Sequence, residues 1–205
     1  MIRWLGLALA GGLALAAASQ PARADEERLT LTLRGGAYDR NDDGYADHAA
    51  VFGLSGAEIG GGGVIEGGVR VLPRLWLYAS WSGFMSQAAR RLDQLRVTNQ
   101  AFLVQAGLTV YRRERLFGGG LPFSIRVDVL AGGGLYTLHD DLDGASHSAR
   151  GPGARAGSQV TLSWRNFGFI AAYGLHLARA SIEDRVGGEL RAGGNEVGAG
   201  LSVGF

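Results

Sequence analysis

Apolar and polar residues alternate strictly along much of the chain, and residues 123–131 (FSIRVDVLA) show the pattern clearly. The odd-numbered positions of this stretch are apolar, whereas the even-numbered positions include Arg126 and Asp128. Successive side chains of a strand point to opposite faces, whereas a helix would mix the two sets on one side. The stretch is therefore predicted to be a β-strand with one apolar face and one polar face.

The same alternation returns in seven further segments, so about eight strands of roughly ten residues each are predicted. These segments are LTLTLRG, VIEGGVRVL, LWLYASWS, QAFLVQAGLTVY, QVTLSWR, FGFIAAYGLHLA and EVGAGLSVGF. No segment shows a convincing period of an amphipathic helix. Alternation alone fits a soluble sandwich, in which the apolar faces pack inward, as well as a membrane barrel, in which they face lipid.

Three further features favour the membrane barrel. When the eight predicted strands are numbered in chain order, the link between strands 2 and 3 (LPRL) and the link between strands 6 and 7 (RN) are short. The 1–2, 3–4, 5–6 and 7–8 links are long and polar, as in barrels with short periplasmic turns and longer external loops. Aromatic residues collect on the apolar faces near the short links, where a membrane interface favours them. They are Phe123, Trp164, Phe167 and Phe205. The polar faces are rich in glycine, which a narrow, side-chain-filled lumen requires.

The first 24 residues are predicted to be a secretory signal peptide. A basic start (MIR) precedes an apolar stretch (WLGLALAGGLALAAA) that is too short to span a bilayer comfortably. The motif ARA and the acidic DEE follow, as is typical of a cleavage site after Ala24. The mature protein is therefore predicted to span residues 25–205 and to form a single barrel domain.

The last strand ends in VGAGLSVGF, with Leu201, Val203 and Phe205 on its apolar face. Together with the strand pattern and the leader, this ending resembles small Gram-negative outer-membrane β-barrels of the OmpA type. The resemblance implies an all-β, antiparallel, up-and-down transmembrane barrel of about eight strands, preceded by a signal peptide. It also implies an outer-membrane location, contact with outer-membrane lipid and recognition of the terminal residues by the barrel-assembly machinery. We expect a monomer.

The OmpA-type fold does not determine function, because barrels of this type include anchors, adhesins, small channels and enzymes. We expect a structural or surface-exposed protein with a side-chain-filled lumen and long extracellular loops. A small pore for solutes or ions is the alternative, and an outer-membrane lipid-modifying enzyme is a weaker one. A formal net charge of +1 gives no footprint for nucleic acid, so no nucleic-acid partner is expected.

The polar strand faces carry charges that are predicted to point into the lumen. They are Arg34, Glu66, Arg70, Arg126, Asp128, Arg165 and Glu196. An unpaired buried charge is costly, so these residues are predicted to form a structural network of ion pairs. In particular, Arg126 and Asp128 are expected to find partners among Glu66, Glu196 and Arg70.

Candidates for catalysis are sparse, and no catalytic site is predicted. His147 and Ser148 lie in HDDLDGASHSARGPG, which is predicted to be a flexible polar loop. The pair has a faint similarity to the serine–histidine chemistry of outer-membrane lipid A deacylases, but their motif is absent. His176 points inward by alternation and is expected to be a hydrogen-bonded interior residue.

The segment YDRNDDGYAD spells the first positions of a calcium loop. The oxygen-bearing residues at calcium-ligand spacing are Asp39, Asn41, Asp43 and Asp47. Gly44 stands at the bend, but Ala50 occupies the position where a bidentate glutamate completes such a site. The same residue types also build plain turns. Two interpretations of the segment therefore remain, a partial and weak calcium site or a plain turn. No other cofactor is expected.

Overall fold

The computed structural model describes residues 28–40, 55–56, 59–90, 93–114, 123–142, 145–183 and 189–205. The predicted signal peptide lies outside the described residues. Among those residues, no helix is long and apolar enough to cross a membrane. The strands are β1 (Leu29–Asp39), β2 (Ser55–Gly56), β3 (Ile59–Leu72), β4 (Leu75–Arg90), β5 (Asp93–Glu114), β6 (Phe123–Leu142), β7 (Ala145–Trp164), β8 (Phe167–Ala178), β9 (Ser181–Glu183), β10 (Glu189–Arg191) and β11 (Gly194–Gly204).

Eight long antiparallel strands close into a barrel. They follow one another as β1, β3, β4, β5, β6, β7, β8 and β11, and β11 pairs with β1 to complete the circle. The strand β2 pairs with the end of β4, and β9 and β10 form a separate two-stranded ribbon. The predicted antiparallel, up-and-down barrel of eight strands is confirmed.

A row of directly paired residues runs once around the barrel and measures the stagger of the strands. It passes through Pro152, Leu135, Phe102, Trp81, Ile65, Leu33, Leu201, Phe169 and Leu162. The row starts and ends on β7, so one circuit shifts the register by the ten residues between Pro152 and Leu162. A barrel with this stagger has strands tilted by roughly 40° from its axis.

The apolar strand faces point outward. In β8, Phe167, Phe169 and Leu177 are 64%, 70% and 64% exposed, whereas the alternate residues Ile170 and His176 are buried. Apolar residues of the other barrel strands are exposed in the same way. An outward apolar face with a polar interior is the arrangement of a transmembrane barrel rather than of a soluble sandwich.

The short turns lie at the end of the barrel that also holds the start of β1 and the end of β11, here called the turn end. Pro73–Arg74 joins β3 to β4 and Arg165–Asn166 joins β7 to β8. Phe123 and Trp164 stack at this end with ring centroids 6.3 Å apart. Phe205 also lies here, where its backbone N–H donates to the Leu29 carbonyl at 2.9 Å.

Two of the links predicted to be long irregular loops are instead extended β-hairpins at the opposite end, here called the hairpin end. The β4–β5 pairing continues to Arg90 and Asp93, and the β6–β7 pairing continues to Leu142 and Ala145. The prediction of a flexible loop around His147 is therefore wrong.

The inward and outward sides exchange their polarity along these hairpins, so that the inward side chains become apolar and the outward ones polar. This exchange explains why the sequence predicted a loop. Leu95, Val97 and Leu138 point inward and are fully buried, whereas Arg96 and Gln100 face outward. The outward apolar side chains form a band around the barrel, here called the apolar belt. Outward residues beyond this belt no longer need to be apolar. The sequence therefore resembles a polar loop although the backbone stays in the sheet.

A hydrophobic cluster closes the interior at the hairpin end. Its buried residues are Leu95, Val97, Ala101, Leu103, Tyr136, Leu138, Ala180, Ile182 and Ala192. Ala180 and Ile182 come from the segment that enters and forms β9, and Ala192 follows β10. The β9–β10 ribbon therefore packs its inner side chains on the inward residues of β5 and β6.

Candidate functional site

The centre of the lumen holds a network of buried charges from four strands. Arg34 on β1 donates from Nη1 to Glu196 Oε1 on β11 at 2.8 Å. The Nε atom of Arg155, on β7, lies 3.3 Å from Glu196 Oε2. Glu66 on β3 lies 3.5 Å from Arg34 Nη2, an ion pair without a hydrogen bond. Since these side chains are at most 2% exposed, the charges compensate one another in a dry interior.

His176 on β8 completes the network. Its Nε2 lies 2.9 Å from Glu196 Oε2, and its Nδ1 lies 2.9 Å from the Tyr136 hydroxyl. A carboxylate only accepts, so Nε2 carries the hydrogen that is donated to Glu196. In the neutral ring, Nδ1 then accepts from Tyr136. The expectation of a hydrogen-bonded interior histidine agrees with this geometry.

Glycine makes room for the long side chains of the network. A Cβ atom at Gly174 would lie 2.6 Å from Arg155 Nε, which is closer than real Cβ contacts allow. Gly68 and Gly107 leave similar space for the ring of Tyr78. The glycines on the polar strand faces therefore set the shape of the lumen.

Asp128 forms a second buried cluster nearer the turn end. Arg126 Nε donates to Asp128 Oδ2 at 3.0 Å, and Thr109 Oγ1 donates to Oδ1 at 2.7 Å. Gln159 Nε2 also donates to Oδ2, at 3.1 Å. The guanidinium of Arg126 stacks over the Trp76 ring, 4.5 Å from its centroid.

The predicted partners of Arg126 and Asp128 are therefore wrong. The two residues pair with each other because side chains two positions apart on a strand share one face. Glu66 and Glu196 are engaged by Arg34 instead.

Two further arginines predicted for the lumen network lie apart from its centre. Arg165 is exposed in the β7–β8 turn, with φ of 54° and its guanidinium 5.4 Å from the Trp164 ring centroid. Its predicted lumen position is wrong, because a turn residue leaves the alternation of the strand. Arg70 is half-buried near the turn end of β3, where its backbone N–H donates to the Arg28 carbonyl at 2.8 Å.

Arg155 is the charged residue of the central network that the sequence pattern did not predict. It pairs with Glu196 and also donates from Nη1 to Gln105 Oε1 at 2.7 Å. Arg155, Gly157 and Gln159 share the inward parity of β7, which is the signal that identifies them. The neighbouring Gly151-Pro152-Gly153 obscured this signal by suggesting a loop.

His147 and Asp140 meet on the β6–β7 hairpin. The Nδ1 atom of His147 lies 3.2 Å from Asp140 Oδ1, and its backbone N–H donates to the same oxygen at 2.9 Å. Ser148 lies opposite His139 across the strands. Within the described residues, the Ser148 side chain makes no hydrogen bond to a histidine, so no nucleophile–base contact is formed there.

The predicted calcium ligands are largely outside the described residues. Asp39 ends β1 and is half-buried, whereas Asn41, Asp43 and Asp47 lie beyond the part that the structure describes. No group of three or more His, Asp or Glu residues within that part is arranged to hold a metal ion. Calcium binding by the Asp39–Asp47 segment stays a prediction.

The predicted assembly residues lie on the outer face of β11 and just beyond it. Leu201 is 59% exposed, and Val203 and Phe205 are partly exposed. Their recognition by an assembly machinery stays a prediction.

Comparison with known proteins supports the fold through structure rather than sequence. Neither a family model nor a curated protein matches the chain. The crystal structure of Neisserial surface protein A matches with a TM-score of 0.52 and 13% identity, over 86% of this chain and 96% of that chain. Ail, the attachment invasion locus protein of Yersinia pestis, matches with a TM-score of 0.50 and 14% identity, over 86% and 99%. Both are eight-stranded outer-membrane β-barrels, and this chain has their fold.

Proposed function

We propose that this protein is a structural or surface-exposed β-barrel of the Gram-negative outer membrane. The observation that carries the proposal is the continuous outward belt of apolar side chains around a closed barrel. In water such a belt would be a very large exposed apolar patch, whereas in a bilayer it faces lipid. Closure leaves no sheet edge, which a membrane requires of a spanning sheet.

The interior favours a structural role over the alternative of a small pore. The charge network fills the middle of the lumen, and Arg126 stacked on Trp76 occupies it nearer the turn end. At the hairpin end, the cluster of Leu95, Leu138 and Ile182 covers the interior. An eight-stranded barrel is only wide enough for such side chains, so a water-filled path is not expected.

The working surface is proposed to be the hairpin end. The β4–β5 and β6–β7 hairpins extend beyond the apolar belt and carry polar residues on their outward faces. The two similar structures are named as a surface protein and as an attachment protein, which supports a surface-exposed role here. Among the described residues, the Ser148 side chain makes no hydrogen bond to His147 or another histidine. This gives little support to the weaker alternative of a lipid-modifying enzyme.

Cysteine labelling tests the location and the orientation together. The chain has no cysteine, so a single one can be introduced at Ser146 on the β6–β7 hairpin or at Arg113 near the turn end. A membrane-impermeant maleimide on intact cells is expected to label Ser146→Cys but not Arg113→Cys, and both should react after lysis. Recovery in the soluble fraction, or labelling of Arg113→Cys alone in intact cells, would contradict the proposal.

A further inference from the structure

Two exposed arginines lie side by side on the outer surface at the hairpin end. The backbone N–H of Arg179, just after β8, donates to the Pro152 carbonyl on β7 at 3.0 Å, which places Arg179 opposite Pro152. Arg150 lies two residues further along β7 and shares the outward parity of Pro152. Such diagonal neighbours are about 7–8 Å apart, within reach of long side chains.

Neither guanidinium is neutralised by a residue that the structure describes. Within the part of the chain that the structure describes, neither the Arg150 nor the Arg179 side chain makes a hydrogen bond or an ion pair. By contrast, the inward-facing Arg34 and Arg155 share Glu196. The directly paired neighbour of Arg150 on β6 is Thr137, which adds a hydroxyl rather than a negative charge. Among the described residues, the outward pair therefore has no compensating negative charge.

The two arginines lie at the edge of the apolar belt that is nearer the hairpin end. Leu135 and Leu177, just below it, are 52% and 64% exposed. Twelve residues separate Phe167, in the aromatic group at the turn end, from Arg179. With a rise of about 3.3 Å per residue and a tilt of roughly 40°, this distance is about 30 Å along the barrel axis. The apolar band of such barrels is about 25 Å tall, so the two guanidinium groups reach the level of the lipid headgroups.

We propose that Arg150 and Arg179 bind the phosphate of a membrane-lipid headgroup in the leaflet at the hairpin end. A planar guanidinium donates two parallel hydrogen bonds to phosphate oxygens, and two guanidinium groups match the charge of one phosphate. The acyl chains of the same lipid then lie on the apolar surface around Leu135 and Leu177. The proposal rests on the membrane location proposed above, and continuity with the belt favours a lipid over an acidic protein.

Lipid selectivity of the purified full-length protein tests the site. The protein is placed in phosphatidylcholine nanodiscs that contain either diphosphoryl lipid A or its dephosphorylated form, and bound lipid is counted by native mass spectrometry. Wild-type protein is expected to prefer the phosphorylated lipid by on the order of tenfold. Arg150→Ala/Arg179→Ala should reduce this preference to about twofold or less, and the lysine double variant should retain part of it.

A matched control removes the same charge at the turn end. Arg74 and Arg113 are also exposed, and Arg74→Ala/Arg113→Ala should keep the wild-type preference. Equal binding of the two lipids, or an equal loss in this control, would overturn the site. Competition by millimolar inorganic phosphate would overturn the assignment to a lipid. Cysteine labelling reports location and orientation without any need for lipid selectivity, so a failure of lipid selectivity alone leaves the membrane location standing.

Discussion

At the scale of single residues, the interior depends on which charges can reach one another across the barrel. Alternation along β1 is enough to place Arg34 inside and Leu33 outside. It does not predict that Arg34 pairs with Glu196, because that contact depends on the stagger between β1 and β11. The pairing of Arg126 with Asp128 is local and was available from their spacing alone.

Arg155→Ala is expected to be strongly destabilising. It removes one of the cations at Glu196 and leaves Gln105 Oε1 without its 2.7 Å donor. Breaking a buried ion pair from one side costs about 3–5 kcal/mol. Urea unfolding of the barrel in lipid vesicles measures this free energy.

The matched control for that measurement is Arg113→Ala, which removes an exposed arginine near the turn end. An exposed charge contributes about 1 kcal/mol or less. If the two variants lose the same free energy of unfolding, the central network is hydrated rather than dry.

Calcium binding by the Asp39–Asp47 segment is a further prediction at this scale. Calorimetry on the refolded barrel should show weak binding, with Kd of about 10⁻⁴–10⁻³ M as in extracellular calcium modules. Asp43→Ala should abolish the signal, because that residue stands at a ligand position of the loop pattern. An unchanged signal in the variant, or no heat at millimolar calcium, would leave the segment as a turn.

At the scale of strands, the sequence predicts the membrane-spanning parts well and the hairpins poorly. Within the belt, lipid outside and a polar lumen inside give each strand one constant pattern, as in β8. Beyond the belt, water replaces lipid outside, and the inward side of β5 turns apolar at Leu95 and Val97. When the polarity of the two faces reverses within one strand, the sequence pattern breaks at that point, and the strand is predicted to end there.

Deletion of Phe205 tests the end of the last strand. The residue lies beside β1 through its hydrogen bond to Leu29, and it follows the outward-facing Leu201 and Val203. If its ring is part of an assembly signal, the deletion should reduce folded, heat-modifiable protein in the outer membrane while secretion continues. Substitution by tyrosine is the control and should preserve assembly. Wild-type amounts of folded protein after the deletion would contradict the role.

At the scale of the whole molecule, we expect a closed barrel rather than a channel. Side chains fill the lumen from the Trp76–Arg126 stack through the central network to the Ile182 cluster. The purified protein in planar bilayers should therefore show no regular conductance steps. A reproducible single-channel current that scales with protein concentration would favour the pore alternative.

The mature chain is expected to begin at Asp25. The motif ARA followed by DEE motivates this expectation, and the barrel itself starts only at Leu29. The intact mass of protein from outer-membrane material measures the cleavage point. A mass that includes the apolar leader would contradict it.

Glu196 belongs to the last strand, and its cationic partners Arg34 and Arg155 belong to the first strand and to β7. While the sheet is still open, Arg34 and Glu196 sit on opposite free edges and lack the 2.8 Å hydrogen bond that closure forms between them. Each keeps a partner on its own side of the opening, Glu66 for Arg34 and Arg155 for Glu196. Partial assembly is therefore penalised, since the hydrogen-bonded pair of Arg34 and Glu196 forms only when the two edges join. Joining of the edges and completion of the charge network are therefore coupled, which favours the closed barrel over an open sheet in the bilayer.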